Sequence, residues 1–365
     1  MKNVFGNSIT VTLFGESHGD YIGAVLDGLA PGIKINSEYI SKKLALRRPA
    51  GKISTSRVEA DEYKIVSGVY NGFTIGTPLN ILIENTNKKS SDYGEALDIP
   101  RPSHADFTAR EKYHGYEDHR GGGHFSGRIT AALVAAGAIL QSALENKGIK
   151  IGSHITELHG AFDRPFEDYT ADIDLVNERL FPVLTDNAEE SMKKEIEKAA
   201  SLGDSVGGIL ESAIIGLPAG VGEPWFDSME SMLSHGLFSI PAVKGVEFGL
   251  GFAFADVYGS EGNDAFSVNE GKVVTETNNN GGINGGITNG MPIVFRTVIK
   301  PTPTIFKKQN SVSLSKMENT VLESKGRHDP AIIHRARAVV DAVAALVIAD
   351  MLTLRYGTDY LSEEK

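Results

Sequence analysis

Cysteine is absent from the 365 residues, which excludes structural disulfides, thiolate metal sites and a cysteine nucleophile. Positive charge is also scarce: 36 Lys and Arg face 47 Asp and Glu, a formal net charge of −11 with a pI near 5.4. That balance argues against a general nucleic-acid binder. No uncharged run reaches the roughly 20 residues needed to cross a bilayer, the nearest being the alanine-rich stretch after Arg128. The N-terminal residues show no charged leader followed by an apolar segment and a cleavage site. A cytoplasmic protein with no membrane or nucleic-acid partner is the expectation. Neither an H-E-x-x-H pair nor a dinucleotide fingerprint after a strand occurs.

The chain is 41% hydrophobic, enough to bury a large core. Its 40 glycines fall among many short β-like runs set between a few helices. Strands are expected at ILIEN after Pro78, at KGVEFGLGF around Val246 and at PIVFRTVI after Met291, all rich in strand-favouring residues. Helices are expected at Ser37 to Leu46 behind an Asn36 or Ser37 cap, at Ile129 to Asn146, at Ala188 to Leu202 and at Ala331 to Leu354. The charged Ala188 helix belongs on the surface.

Against the acidic background, one segment gathers Arg101, Arg110, Arg120 and Arg128 with His104, His114, His119 and His124 around the triplet Gly121 to Gly123. Such glycines permit positive φ and let the backbone approach a ligand. The apolar run from Ile129 onward places a helix N-terminus just beyond them, favourable to an anion. A second basic cluster, Arg47, Arg48, Lys52 and Arg57, surrounds Pro49 and Gly51 and suits phosphate or carboxylate. Near the end, KPTPT from Lys300 makes an extended strand exit beside a lysine. In GRHDP from Gly326, Asp329 is either the N-cap of the last helix or a base beside Arg327 and His328, with Pro330 in that helix's first turn.

The sequence also repeats itself. The segment from Gly15 to Gly32 aligns without gaps on that from Gly203 to Gly220, preserving Gly15/Gly203, Ser17/Ser205, Gly19/Gly207, Gly28/Gly216, Leu29/Leu217 and Gly32/Gly220. GTPLNILIEN at Gly76 likewise matches GMPIVFRTVI at Gly290. Two similar halves, roughly 1–185 and 186–365, built around a shared core explain this most simply. Where the first copy has His18, the second has Val206, so the common turn does not require an imidazole. That comparison favours a functional His18, able to lend a proton near neutral pH.

Taken in order, FGESHG at Phe14, RRP at Arg47, GTPLNILIENT at Gly76, RPSHADFT at Arg101, RGGG..S.R at Arg120, SIPAVKGVEFG at Ser239, GGINGGI at Gly281, KPTPT at Lys300 and KGRHDP at Lys325 resemble the chorismate synthase family across essentially the whole chain. The resemblance implies an α+β single domain, residues 1–365, with helices sandwiched between two antiparallel sheets and a pseudo-twofold repeat. It implies a lyase that eliminates phosphate from 5-enolpyruvylshikimate-3-phosphate by an anti 1,4-elimination, giving chorismate, with reduced FMN required but no net redox change. It implies His18 as the acid near the departing phosphate, His104 beside the flavin, Asp329 as the proton-relaying carboxylate, and Ser17 and Ser126 as orienting hydroxyls. Arg47, Lys52, Arg101, Arg128 and Arg327 would face the substrate's anionic groups. Flavin contacts carry over to His124, Phe125, Ser126, Pro241, Ala242, Gly285, Lys300, Pro301, Thr302, Pro303, Thr304 and Arg327. Lys52 stands where many members have Arg, His124 and Phe125 replace Arg and Ser, and Pro241 replaces a common Asn. His114 and His119 match no family function and are expected in ordinary surface roles. A homotetramer is the usual assembly. Some members reduce FMN with NADPH themselves, but with no appended reductase domain an external flavin reductase is expected here.

Two other readings come from different classes. A zinc hydrolase could draw on His104, His114, His119 and His124 with Asp106 and Asp118, but the spacings fit no usual ligand set, and no metal is expected. A non-catalytic anion-binding protein would hold phosphorylated ligands without turnover.

Overall fold

The computed structural model describes residues 2–49, 53, 60–86, 98–324 and 329–363. Two antiparallel five-stranded sheets enclose a helical middle. The first sheet runs Val4–Phe5, Thr10–Gly15, Tyr21–Asp27, Leu79–Glu84, Tyr63–Ser67. The second runs Ala161–Phe162, Lys150–Leu158, Gly208–Ile215, Ile293–Ile299, Val243–Phe248. Central strands alternate as a half-buried strand should: Leu79, Ile81 and Ile83 point inward, as do Ile293, Phe295, Thr297 and Ile299. Helix Thr130–Asn146 lies on the first sheet and helix Ile333–Tyr356 on the second, and the two pack against each other. The first is apolar nearly all round, as a helix buried on every side should be, whereas the second is as deeply buried but carries His334, Arg337, Asp341 and Asp350 inside. Gly137 sets their approach, since a Cβ there would stand 2.4 Å from the Cβ of Ala342.

The expected helices form with small shifts. Ser37–Arg47 begins at Asn36, whose side chain accepts from the Tyr39 N–H, and Asp186–Ser201 begins at Thr185, whose hydroxyl accepts from the Ala188 N–H. The strand around Val246 ends at Phe248, because Gly249 and Gly251 take positive φ and turn the chain into a short 3-10 helix, Gly251–Asp256. The last helix starts at Ile333 rather than Ala331, and no side chain caps it. Asp329 is therefore not its cap, and Pro330 lies outside its first turn.

The internal echo is a structural repeat. Four strands of each sheet correspond in chain order and in sheet position, and only the edge strands differ, Val4–Phe5 preceding its neighbour in the chain and Ala161–Phe162 following its own. Gly28 and Gly216 both take positive φ, and a Cβ on either would meet a backbone carbonyl, that of Ser8 or of Gly148. The Thr74 hydroxyl donates to the Ala30 carbonyl and accepts from the Ile33 N–H, and Thr288 does the same with Pro218 and Val221, all at 2.6–2.9 Å. Identical turn chemistry at matched positions fixes how each half crosses its sheet.

Candidate active site

The Glu16–Gly19 turn carries Ser17 and His18, both nearly buried, at the end of strand Thr10–Gly15. The Ser17 hydroxyl lies 3.0 Å from His18 Nδ1. Three consecutive left-handed glycines, Gly121, Gly122 and Gly123, press against this turn. The Ser17 N–H donates to the Gly123 carbonyl at 3.0 Å, and a Cβ on Gly121 would stand 2.4 Å from His18 Cε1. Only a glycine leaves room for the imidazole there. Gly122 faces His104 Cε1 at 3.5 Å from its would-be Cβ, with Ser126 on the same side. Consecutive glycines of the triplet thus meet His18 and His104. The triplet then leads through Ser126, whose hydroxyl accepts from the Arg128 N–H, into the core helix.

His104 is set by Asp106, whose carboxylate accepts from Nδ1 at 2.6 Å and so directs Nε2 away from it, toward the glycines. Arg101 grips the same carboxylate from Nε and Nη2, each at 2.8 Å. Burial pushes the Asp106 carboxyl up, but hydrogen bonds from Arg101 and His104 outweigh it and hold the group well below the usual carboxylate range. A small open cleft is bordered by His104, Asp106, Gly122, Phe125, Pro100 and Leu314. His119 also borders it, whereas His114 closes helix Asp106–Tyr113 in a left-handed conformation, a structural role. His124 donates from Nδ1 to the Gly15 carbonyl at 2.8 Å, and the half-exposed Phe125 meets Tyr113 edge-on.

The second half supplies the opposite wall. Lys300 donates from Nζ to the Ser103 carbonyl at 2.6 Å and from its backbone to Ala242, next to Pro241. Burial, then neighbouring Lys244, lowers the Lys300 ammonium. Arg101 Nη1 reaches the Thr304 hydroxyl at 3.3 Å, and the Thr302 hydroxyl donates to the Asp329 carbonyl at 2.6 Å. The Asp329 carboxylate pairs with Arg335 at 2.5 Å, and Arg335 Nε donates to the Arg47 carbonyl. Gly285 sits at the tip of the small hairpin Ile283–Asn284 and Ile287–Thr288, held by Val221 and Met229 rather than by these segments in its described hydrogen bonds. Lys52 and Arg327 lie outside the described residues.

Arg47 and Arg128 both turn onto Asp61, one to each carboxylate oxygen, with all three side chains buried. Arg47 also donates to Thr130 and to the Gly127 carbonyl, and Arg128 to Asn85 and the Glu84 carbonyl. Sequence reasoning missed Asp61, Asn85 and Arg335, and gave Asp106 only a metal-ligand alternative. For Asp106 a signal existed, its position two residues after His104. The others show their partners only once distant segments meet.

The comparisons agree with one another. The family model described as chorismate synthase matches residues 9–353. The chain is 47% identical over 355 residues to the chorismate synthase of Thermococcus gammatolerans, covering 96% of this chain and 97% of the relative. It is 46% identical over 361 residues to that of Methanosarcina barkeri, covering 97% of each. A solved structure described as a crystal structure of chorismate synthase superimposes with a TM-score of 0.74 at 28% identity, over 97% of this chain and 94% of that one.

Proposed function

The chain belongs to the chorismate synthase family and is a lyase that makes chorismate in the last step of the shikimate pathway, and we propose that it does so at the ring of segments around His18 and His104. The observation that supports this assignment is the glycine triplet, which admits His18 at Gly121 and His104 at Gly122, while Lys300 of the second half reaches the Ser103 carbonyl beside them. His18, braced by Ser17, is the acid for the departing phosphate. Protonating that oxygen lowers the negative charge developing on it as the C–O bond breaks. Asp329, held by Arg335, is the carboxylate that relays the proton released from the ring by way of the flavin, and Ser126 keeps Arg128 and the glycine loop in register. Lys52, Arg101 and Arg327 supply the positive field for the substrate's phosphate and carboxylates, with Arg47 and Arg128, which share the buried Asp61, adding the net positive charge of their cluster. In a site shielded from water that field acts at reduced dielectric.

The residues present fit reduced FMN. Lys300, Thr302, Thr304 and Ser126 offer the cation and hydroxyls that a ribityl phosphate needs, and His104 and Phe125 offer flat faces beside an open cleft. Ala242, which accepts from the Lys300 N–H, Pro241 beside it, and Pro301 and Pro303 extend the Lys300 segment, and His124 anchors the glycine loop to Gly15. When bound, reduced FMN supplies transient electron density and accepts hydrogen without net redox change. No dinucleotide fingerprint accompanies the site, so an external flavin reductase supplies the reduced cofactor in place of NADPH used directly. Segment Gly127–Asn146 is long and apolar enough to cross a bilayer, yet its apolar stretch is mostly buried inside the protein. We place the enzyme in the cytoplasm as a single-domain homotetramer.

The test is anaerobic phosphate release from 5-enolpyruvylshikimate-3-phosphate with chemically reduced FMN. Release is expected from the parent protein, with His18→Ala and Asp329→Ala slower by about 10- to 10⁴-fold. Unchanged rates in both variants would remove them from the mechanism.

A further inference from the structure

Asn85, at the end of strand Leu79–Glu84, is nearly buried, and its side chain is fully committed. Both amide hydrogens donate to the His18 turn, one to the Glu16 carbonyl and one to the Gly19 carbonyl, each at 3.0 Å. Its carbonyl oxygen accepts from Arg128 Nε at 2.9 Å, and its backbone N–H donates to the Asp20 carbonyl at 3.0 Å. This pattern fixes the amide orientation, because reversing it would set oxygen against two carbonyls. One side chain therefore clamps both ends of the turn that carries Ser17 and His18, and Arg128 locks the clamp.

The protein contains its own control. By the internal repeat, Asn85 corresponds to Ile299 and His18 to Val206, and both counterparts are buried apolar residues. The second half ends the equivalent strand without an amide. The polar pair occurs together where the imidazole is, and the apolar pair together where it is not. The amide is thus not a requirement of the strand end or of the sheet.

We propose that Asn85 is a positioning residue for the elimination, holding His18 in reach of the departing phosphate through the Glu16 and Gly19 carbonyls. This rests on the reading of His18 as the acid. Asn85→Asp keeps the shape and the contact to Arg128, but replaces two donors by an oxygen facing two carbonyls. Asn85→Ser removes the donors without adding charge. In each, turnover with reduced FMN is expected to fall about 10- to 100-fold, the range for a reacting group displaced by about 1 Å, with little change in KM.

The deciding arm repeats both substitutions in His18→Ala protein, where they should cost nothing further, since the group they position is gone. Slowing of the His18→Ala enzyme by the same factor as the parent would overturn the proposal. So would unchanged turnover in the parent background. Imidazole NMR supplies an arm independent of activity. The His18 ring resonances should move in either variant while those of His235 stay put, and an unmoved His18 would sink the proposal even if the parent released no phosphate. Failure of the parent alone would count against the functional reading and leave this readout standing.

Discussion

Gly121→Ala isolates the placement of His18 by the glycine triplet. Gly121 has φ 61° and ψ 17°, a left-handed conformation that alanine adopts at a cost of about 1 kcal/mol. The added Cβ would lie 2.4 Å from His18 Cε1 and 2.6 Å from both His18 Nδ1 and the Ser17 hydroxyl, where ordinary contact begins at 3.4 Å. The ring must retreat by about 1 Å, a displacement that can cost on the order of 10²-fold in rate. The turn cannot give way as a whole, because Gly123 and Asn85 hold its backbone at three points. Gly115→Ala is the matched control: its φ is 81° and nothing lies within 4 Å of the added Cβ. Gly115→Ala should lose a few degrees at most, for about 1 kcal/mol in a chain of this size, and Gly121→Ala somewhat more, since overpacking adds about 1–3 kcal/mol. Only Gly121→Ala should lose turnover, by about 10²-fold in the anaerobic phosphate-release assay, with KM little affected. Turnover within about twofold of Gly115→Ala would refute the argument that the triplet exists to admit the imidazole.

Two buried histidines far from the cleft predict opposite pH dependences of stability. His154 is buried between Glu211, 2.9 Å from Nε2, and Asp163, 3.5 Å from Nδ1; burial lowers its pKa, but the two carboxylates outweigh that and raise it above the ordinary 6.5. Its stabilising contribution is complete below 6.5 and is lost as pH rises through the raised folded value, so the advantage of the parent over His154→Gln in thermal unfolding should shrink upward from neutral pH. An advantage that grew with pH would contradict the charged clamp. His334, stacked on Phe181, is pushed down to about 3 by burial and then by Arg335, Arg337 and Lys193. Its contribution is complete above 6.5 and is lost as pH falls toward 3, so His334→Phe should unfold less readily than the parent relative to their difference at pH 7 when both are heated at pH 4 to 5. Asp61→Asn removes the charge between two buried guanidiniums, and breaking a buried pair of this kind costs on the order of 3–5 kcal/mol. A large fall in melting temperature is expected, partly recovered by inorganic phosphate if Arg47 and Arg128 can accept an external anion; an unchanged melting temperature would show the clamp contributes nothing to stability.

Much of the fold was legible because its signals are local. Asn36 and Thr185 cap their helices from side chains three residues away, and the alternation in Leu79–Glu84 states its buried face directly. The repeat was legible because left-handed glycines such as Gly28 and Gly216 cannot be exchanged without meeting backbone. His18 stood out because its counterpart is Val206. What local pattern could not supply was the destination of long polar side chains. Asp329 looked like a helix cap from its neighbours, but the chain brings Arg335 back onto it and the helix starts later. Arg47 and Arg128 read as exposed cations awaiting an anion, yet Asp61 returns from another segment to fill both. Asn85 read as the last residue of a strand, and its partners lie more than 40 residues away in both directions.

The polar cluster beneath His18 therefore calls for a reason beyond folding. Burying guanidiniums, a carboxylate and an amide is costly unless every group is paired, and replacement by well-packed apolar residues is often neutral or stabilising. The second half of the chain carries out that replacement in part: Val206 and Ile299 fill the positions of His18 and Asn85, and the same strand ends and turns still form. Apolar filling is thus compatible with this backbone. The first half nevertheless keeps Asn85 bonded to Arg128, Arg128 bonded to Asp61, and Asp61 bonded to Arg47, whose carbonyl receives Arg335, the partner of Asp329. This chain of contacts runs from the proposed acid to the proposed base and crosses from one half to the other. A duplicated scaffold would let one copy specialise in this way, because the other copy retains the apolar solution that the sandwich itself requires.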